Sequence, residues 1–274
     1  MIDFRIEYLP AINYALINNK IAVCQSAEIR NTSTDTLHNL VVECTGEFFI
    51  TTLSTTIGAL RAYDSMRLDK VDILPNPQMV GSLTEKLVTT FTIKVYQDIF
   101  TEGEPKSEIF SKEYNVDIMP FDQWLGTSIL PQCLASYVMP NHPAISNIVV
   151  KAAKLLKDIT GTSAFTEYQS GNPNEVLKQV AAVYGALHNE NIVYRGVPAS
   201  YEEIGQRITL PDQVLAQKLG NCVELTLLYA SVLENIGINS CIILQRGHAY
   251  LGVWLVDDCC PYSVCDDYSY IEKK

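Results

Sequence analysis

LGNCVELTLLYASVLENIGINSCIILQRGHAYLGVWLV, residues 219–256, is the stretch around which the rest of the chain falls into order. It reads as a helix followed by two strands. Asn221 can cap the helix, and Glu224 stands three residues on, the spacing of a reciprocal capping box. Cys222 then falls in the first turn, beside N–H groups that have no intrahelical acceptor. The positive end of the helix dipole favours a thiolate there, and the thiolate is the nucleophilic form. Val223, Leu225, Leu227, Leu228, Tyr229, Val232, Leu233 and Ile236 leave almost no polar face, which predicts burial on most sides. Gly237 suits the left-handed position just past the helix end. Residues 239–244 and 249–256 are rich in β-branched and aromatic side chains and predict strands, with His248 opening the second. Either residue alone has an ordinary reading, a small buried hydrophobe for Cys222 and a structural residue for His248. Their order and their placement relative to the helix start are what point to a Cys–His pair.

Upstream, residues 145–159 have a helical apolar pattern (Ile148, Val149, Ala152, Leu155, Leu156) that stops at Gly161. Asn172-Pro173-Asn174-Glu175 combines a cap, a proline in the first turn and an acid, predicting a helix to about His188. Residues 191–210, NIVYRGVPASYEEIGQRITL, form a polar approach to Cys222. Within it Tyr194, Tyr201, Gln206 and Arg207 are candidates for lining a groove, each with an ordinary loop or edge reading beside it. Gln217, five residues before Cys222, can serve as an oxyanion donor or as a surface helix residue. The backbone N–H of Cys222 offers the same service without a side chain.

Residues 1–119 predict an all-β domain. Ile21, Val23, Ala27 and Ile29 share one parity; so do Leu40, Val42 and Cys44. Leu87, Phe91, Ile93 and Val95 alternate in the same way, as do Phe110, Tyr114, Val116 and Ile118, the period of half-buried strands. Residues 31–35 form a turn cluster, Pro75-Asn76-Pro77 breaks the chain, and His38 reads as a solvated residue in a polar turn. Short strands between turns suggest a sandwich serving as a spacer or docking domain. Residues 120–144 read as a linker in which Pro120, Pro131, Pro140 and Pro143 prevent a long helix. Trp124, Leu125, Ile129 and Leu130 are expected to pack it against one of its neighbours.

The net charge of −11 argues against nucleic-acid binding by this portion, because phosphate neutralisation needs clustered cations. MIDFRIEYLP lacks the basic and apolar regions of a signal peptide, and no apolar run reaches membrane-spanning length. The expectation is a cytoplasmic protein, with no membrane partner, whose eight cysteines are mostly reduced. Cys259, Cys260 and Cys265 cluster after the second strand but lack paired Cys-x-x-Cys knuckles, so no metal is expected.

The ordered set Gly220-Asn221-Cys222, Gly237-Ile238 and His248-Ala249-Tyr250 resembles the transglutaminase-like, papain-type cysteine hydrolases. In that family G-x-C opens a buried helix, "GI" leads into a strand, and His-Ala-aromatic opens the next. The resemblance implies Cys222 as nucleophile, His248 as base, no cofactor, and a peptide or protein substrate. The phrase AEIRNTSTDTLHNLVVEC (27–44) resembles immunoglobulin-like domains. The implied architecture is an immunoglobulin-like sandwich at 1–119, a linker at 120–144, and an α+β transglutaminase-like (cysteine-proteinase-like) domain at 145–274. The family's acid lies on the strand after the histidine strand. Here that strand would be 262–270, paired through a turn centred on Cys259, so Tyr270 would face His248 and Asp266 would face Gly252. Asp266 has the right parity but lies four residues short, about 13 Å along a strand. It is the one acid candidate, and a bulge would be needed to bring it to His248. The chain reaches Lys274 without the acid-x-Thr strand that often closes this core, implying a domain truncated at its C-terminus and an acid supplied beyond it.

A second resemblance rests on WLG (124–126), PNHPAI (140–145), GQRITLP (205–211), GNCVELTLLYA (220–230) and GHAYLGVWL (247–255). These are similar to the N-terminal part of large bacterial proteins that carry helicase-like and nuclease-like domains further along. Two functions are therefore expected as alternatives. One is thiol-dependent acyl chemistry as a peptidase, amidase or amine-transferring enzyme. The other is an inactive interaction module of a larger nucleic-acid-processing or defence protein.

Overall fold

The computed structural model describes residues 1–97, 107–196, 205–267 and 269–272, without the side chains of residues 54, 271 and 272. The chain is mixed α/β and divides into two compact units, Met1–Gln123 and Trp124–Lys274.

The first unit is built from strands whose alternate residues are apolar. β1 (Ile2–Tyr8) pairs antiparallel with β3 (Cys24–Asn31), setting Phe4 opposite Ile29, and β6 (Ser65–Leu68) adds to the other side of β3. The larger sheet is centred on β4 (Leu37–Gly46), with β8 (Leu87–Gln97) and β9 (Ser107–Ile118) on one side and β5 (Phe49–Leu60) on the other. Two-residue strands finish its edges, β2 (Ala11–Ile12) beside β9 and β7 (Leu74–Pro75) beside β5. Val42 faces Val95 and Cys44 faces Ile93, all fully buried, so the parity read from the sequence is the parity of the core. The sheets share that core and curl into a half-barrel.

Several expectations for this unit need correction. β3 starts at Cys24, not Ile21. His38 is exposed on β4 and not in a turn. The all-β expectation missed α1 (Tyr14–Asn18) and α2 (Pro77–Gly81). Asn13 Oδ1 accepts from Leu16 N at 3.0 Å, and Asn76 Oδ1 accepts from Gln78 N at 3.0 Å ahead of Pro77. Both are asparagine caps on short turns, which carry no apolar periodicity. β1 and β5 lie outside the strands expected from the sequence. The first has a visible Ile2-Phe4-Ile6 alternation; the second, FITTLSTTIGAL, is threonine-rich and half-exposed.

The two-residue β10 (Gln123–Trp124) straddles the division between units. The second unit is largely helical. A 3-10 helix (Pro131–Tyr137) starts on one proline of the expected linker, and α3 (Pro143–Thr160) starts on another. The linker expectation is thus overtaken for 124–142, which belong to this unit and bury Trp124, Leu125, Cys133 and Leu134. α4 (Pro173–His188) follows its Asn172 cap as read. Then come β11 (Val193–Tyr194), β12 (Gln206–Arg207), α5 (Pro211–Gln217), β13 (Leu219–Gly220), α6 (Cys222–Asn235), β14 (Ser240–Gln245), β15 (His248–Val253) and α7 (Ser269–Glu272). Ile145, Ile148 and Ala152 of α3, Val176 and Val183 of α4, and Leu228, Val232 and Leu233 of α6 form one core. Among the described residues no helix is long and apolar enough to cross a membrane.

Candidate functional site

The start of α6 is locked by its own sequence. Asn221 Oδ1 accepts from Glu224 N at 3.0 Å, and Glu224 Oε2 accepts from Asn221 N at 2.8 Å, completing the capping box. Cys222 is therefore the first helical residue, and its side chain is partly exposed. The box engages the N–H groups of Asn221 and Glu224, not that of Cys222.

Glu224 does more than its spacing revealed. It is 2 % exposed, and Oε1 also accepts from Thr209 N at 3.0 Å, Thr209 Oγ1 at 2.6 Å and Arg195 Nη2 at 3.1 Å. A buried carboxylate needs such a complete set of donors, since an unpaired one would be costly. The result ties two segments that precede α5, at Arg195 and Thr209, to the turn that carries Cys222.

Tyr194 is the neighbour this arrangement brings to the thiol. β11 and β13 pair in parallel, with Tyr194 opposite Gly220; Val193 N donates to Lys218 O at 2.9 Å and Arg195 N to Gly220 O at 2.8 Å. Gly220 precedes Cys222 by two residues, so the phenol reaches the sulfur. Burial, the charge of Cys222 and a hydrogen bond with its side chain push Tyr194 above the usual tyrosine range, keeping its proton.

His248 sits at the tip of a hairpin. Gln245 pairs with His248 across Arg246-Gly247, and each later residue of β15 pairs back along β14 as far as Val253 with Ser240. α6 is about 21 Å long at 1.5 Å per residue, and β14 is about 17 Å from first to last residue at 3.3 Å per residue. Gly237, at φ +74°, makes the reversal between them, a conformation that strains other residues. The hairpin tip is thereby returned toward the Cys222 end of the helix.

The two faces of the hairpin are clearly divided. Ala249, Leu251 and Val253 turn inward, and the Ser240 hydroxyl donates to Glu234 Oε1 of α6 at 2.8 Å. His248 and Tyr250 lie on the other face with ring centroids 6.4 Å apart, and Gln245 Nε2 donates to the Tyr250 hydroxyl at 3.0 Å. The structure thus brings Tyr194 to Cys222 and stacks His248 with Tyr250 on the hairpin face away from α6.

Among the described residues of 262–270 the expected strand is not formed. Residues 257–267 run through bends, and α7 begins after Asp267 Oδ1 accepts from Ser269 N at 2.9 Å. The side-chain and backbone hydrogen bonds from Ser269 hold Asp267 below the usual carboxylate range. Pro261 lacks a ladder donor, and Asp266-Asp267 favours a cap over a strand. Asp266 is exposed in this segment, without the strand that would have carried it toward His248.

Gln217 is exposed at the end of α5, Gln206 is buried, Arg207 is exposed, and Tyr201 lies outside the described residues. Among the described residues no three His, Cys, Asp or Glu side chains gather as a metal site. Sequence reading gave Arg195 and Thr209 no role. Their partnership with Glu224 spans 29 and 15 positions, and no local pattern signals it. Comparison with protein families, curated proteins and solved structures finds no match to this chain.

Proposed function

We propose that this protein carries out thiol-dependent acyl chemistry at Cys222 on a peptide or amide bond. In this reading the second unit is a transglutaminase-like domain and the first an immunoglobulin-like docking domain. The observation that carries it is a partly exposed thiol in the first turn of a helix whose start is fixed by a fully satisfied buried carboxylate. The Cys222 thiolate adds to the carbonyl carbon, and the carbonyl oxygen takes the electron pair facing the helix N–H groups. In this reading His248, which the structure stacks on Tyr250 on the face away from α6, takes the thiol proton once the hairpin tip turns its ring toward Cys222 and returns it to the departing amine, leaving a thioester that water or a second amine resolves.

The test is alkylation of the full chain by iodoacetamide near pH 6, mapped by mass spectrometry. Cys222 is expected to label fastest of the eight cysteines, and His248→Ala to slow it at least tenfold. An unlabelled Cys222 beside reactive neighbours would count against the site.

A second reading, a non-catalytic interaction module, draws on the stacking of His248 with Tyr250 on the face away from α6. It expects Cys222 to label only as pH nears the free-thiol value of about 8.5, with no effect of His248→Ala.

A further inference from the structure

Two cysteines outside the candidate site, Cys241 on β14 and Cys260 beyond β15, lie on segments joined at the base of the hairpin. Cys241 pairs with Gly252, and its sulfur lies so close that a Cβ at position 252 would meet it at 2.6 Å. That sulfur therefore stands on the hairpin face away from α6. The chain leaving β15 comes back to the same corner. Trp254 N donates to Asn239 O at 3.1 Å, and the Tyr168 hydroxyl accepts from Asn239 N at 2.9 Å while donating to Trp254 O at 3.0 Å. Asn239 Nδ2 in turn donates to Asp258 O at 2.9 Å. Asn239 precedes Cys241 by two residues and Asp258 precedes Cys260 by two, so this clamp sets two thiol-bearing segments side by side. Burial pushes the Cys241 thiol up, and the nearby charge of Cys260 adds to it. Cys260 is only partly buried, within reach of a small oxidant.

We propose that a peroxide oxidises Cys241 and Cys260 to a disulfide that latches the segment after β15 onto the hairpin. The Cys260 thiolate attacks a peroxide oxygen, breaking the O–O bond; the sulfur becomes a sulfenic acid and hydroxide leaves. Cys241 sulfur then attacks the sulfenic sulfur, loses its proton and expels the hydroxyl as water. Two thiols lose two electrons, and one hydrogen peroxide becomes two waters. The step does not depend on any activity at Cys222. The latch holds the chain against the face that bears His248 and Tyr250, and a thiol reductant releases it.

Peptide mapping of the full chain without reductant, after graded hydrogen peroxide, tests this. The expected product is a Cys241–Cys260 linked pair, reversed by dithiothreitol, kept in Cys259→Ser and Cys265→Ser, and lost in Cys260→Ser. Because Cys260 lies in a partly exposed turn, its variant does not disturb the core, and the wild-type map needs no variant. A dominant Cys260–Cys265 or Cys259–Cys265 bond would overturn the proposal, as would a Cys241 that stays fully alkylatable after peroxide.

Discussion

Glu224 concentrates more of the site's chemistry than any other side chain. One carboxylate closes the capping box, accepts two bonds from Thr209 and holds the Arg195 guanidinium. Removing it leaves several donors in a buried place without an acceptor. Glu224→Ala is expected to destabilise the second unit by about 3 kcal/mol, the lower range for breaking a buried pair because Arg195 is 40 % exposed. Urea unfolding followed by near-UV signals checks it. Tyr194 acts on the thiol itself. Its hydroxyl can donate to a thiolate, so Tyr194→Phe is expected to slow alkylation of Cys222 at pH 7 about threefold, the scale of one net hydrogen bond. An unchanged rate would remove Tyr194 from the site.

At the scale of the element, α6 is the pivot. Val223, Leu227, Leu228, Ala230, Val232 and Leu233 are all buried, and Ser231 bonds to Met139 N on one side and Leu227 O on the other. A helix apolar around most of its circumference belongs inside its unit. Leu228→Ala should therefore cost about 2–5 kcal/mol, and a denaturant midpoint unchanged by it would refute a central role for this helix. Asn221→Ala removes only the cap and should cost about 1 kcal/mol. The segment after β15 shows the opposite balance. Asp257, Asp258, Pro261, Asp266 and Asp267 interrupt its apolar residues, and a short helix capped by Asp267 forms where the family resemblance had implied a strand.

Across the whole molecule, acid is the condition that separates the contributions. The chain carries a net charge of −11, and Glu190 links Lys151 of α3 to Lys218 beyond α5. Burial works to raise the Glu190 carboxyl, but the hydrogen bonds and charges of both lysines outweigh it, and the net shift is downward. A lowered carboxylate contributes stability above its unfolded value of about 4.3, and that stability is lost as pH falls through the folded value. Glu190→Gln should thus unfold at a midpoint that falls less steeply between about pH 5 and pH 3 than the wild type's. Parallel slopes would show that this bridge adds nothing to acid stability.

The sequence by itself determined the parity of β4, β8 and β9, the caps of α4 and α6, and the position of Cys222 in the first turn of α6. Each depends on residues at most a few positions apart, where sterics and hydrogen bonding act without help from the rest of the chain. It could not supply Arg195 and Thr209 as partners of Glu224, the approach of Tyr194 to Cys222, or the face that His248 presents. Those contacts join residues far apart in sequence and exist only once the hairpin has folded back along α6 and the β11–β13 pair has closed. The fate of 262–270 was decided in the same way. The resemblance implied a strand there, but a strand needs a neighbouring edge at the right register, and the local chemistry of Pro261 and Asp267 takes the chain elsewhere.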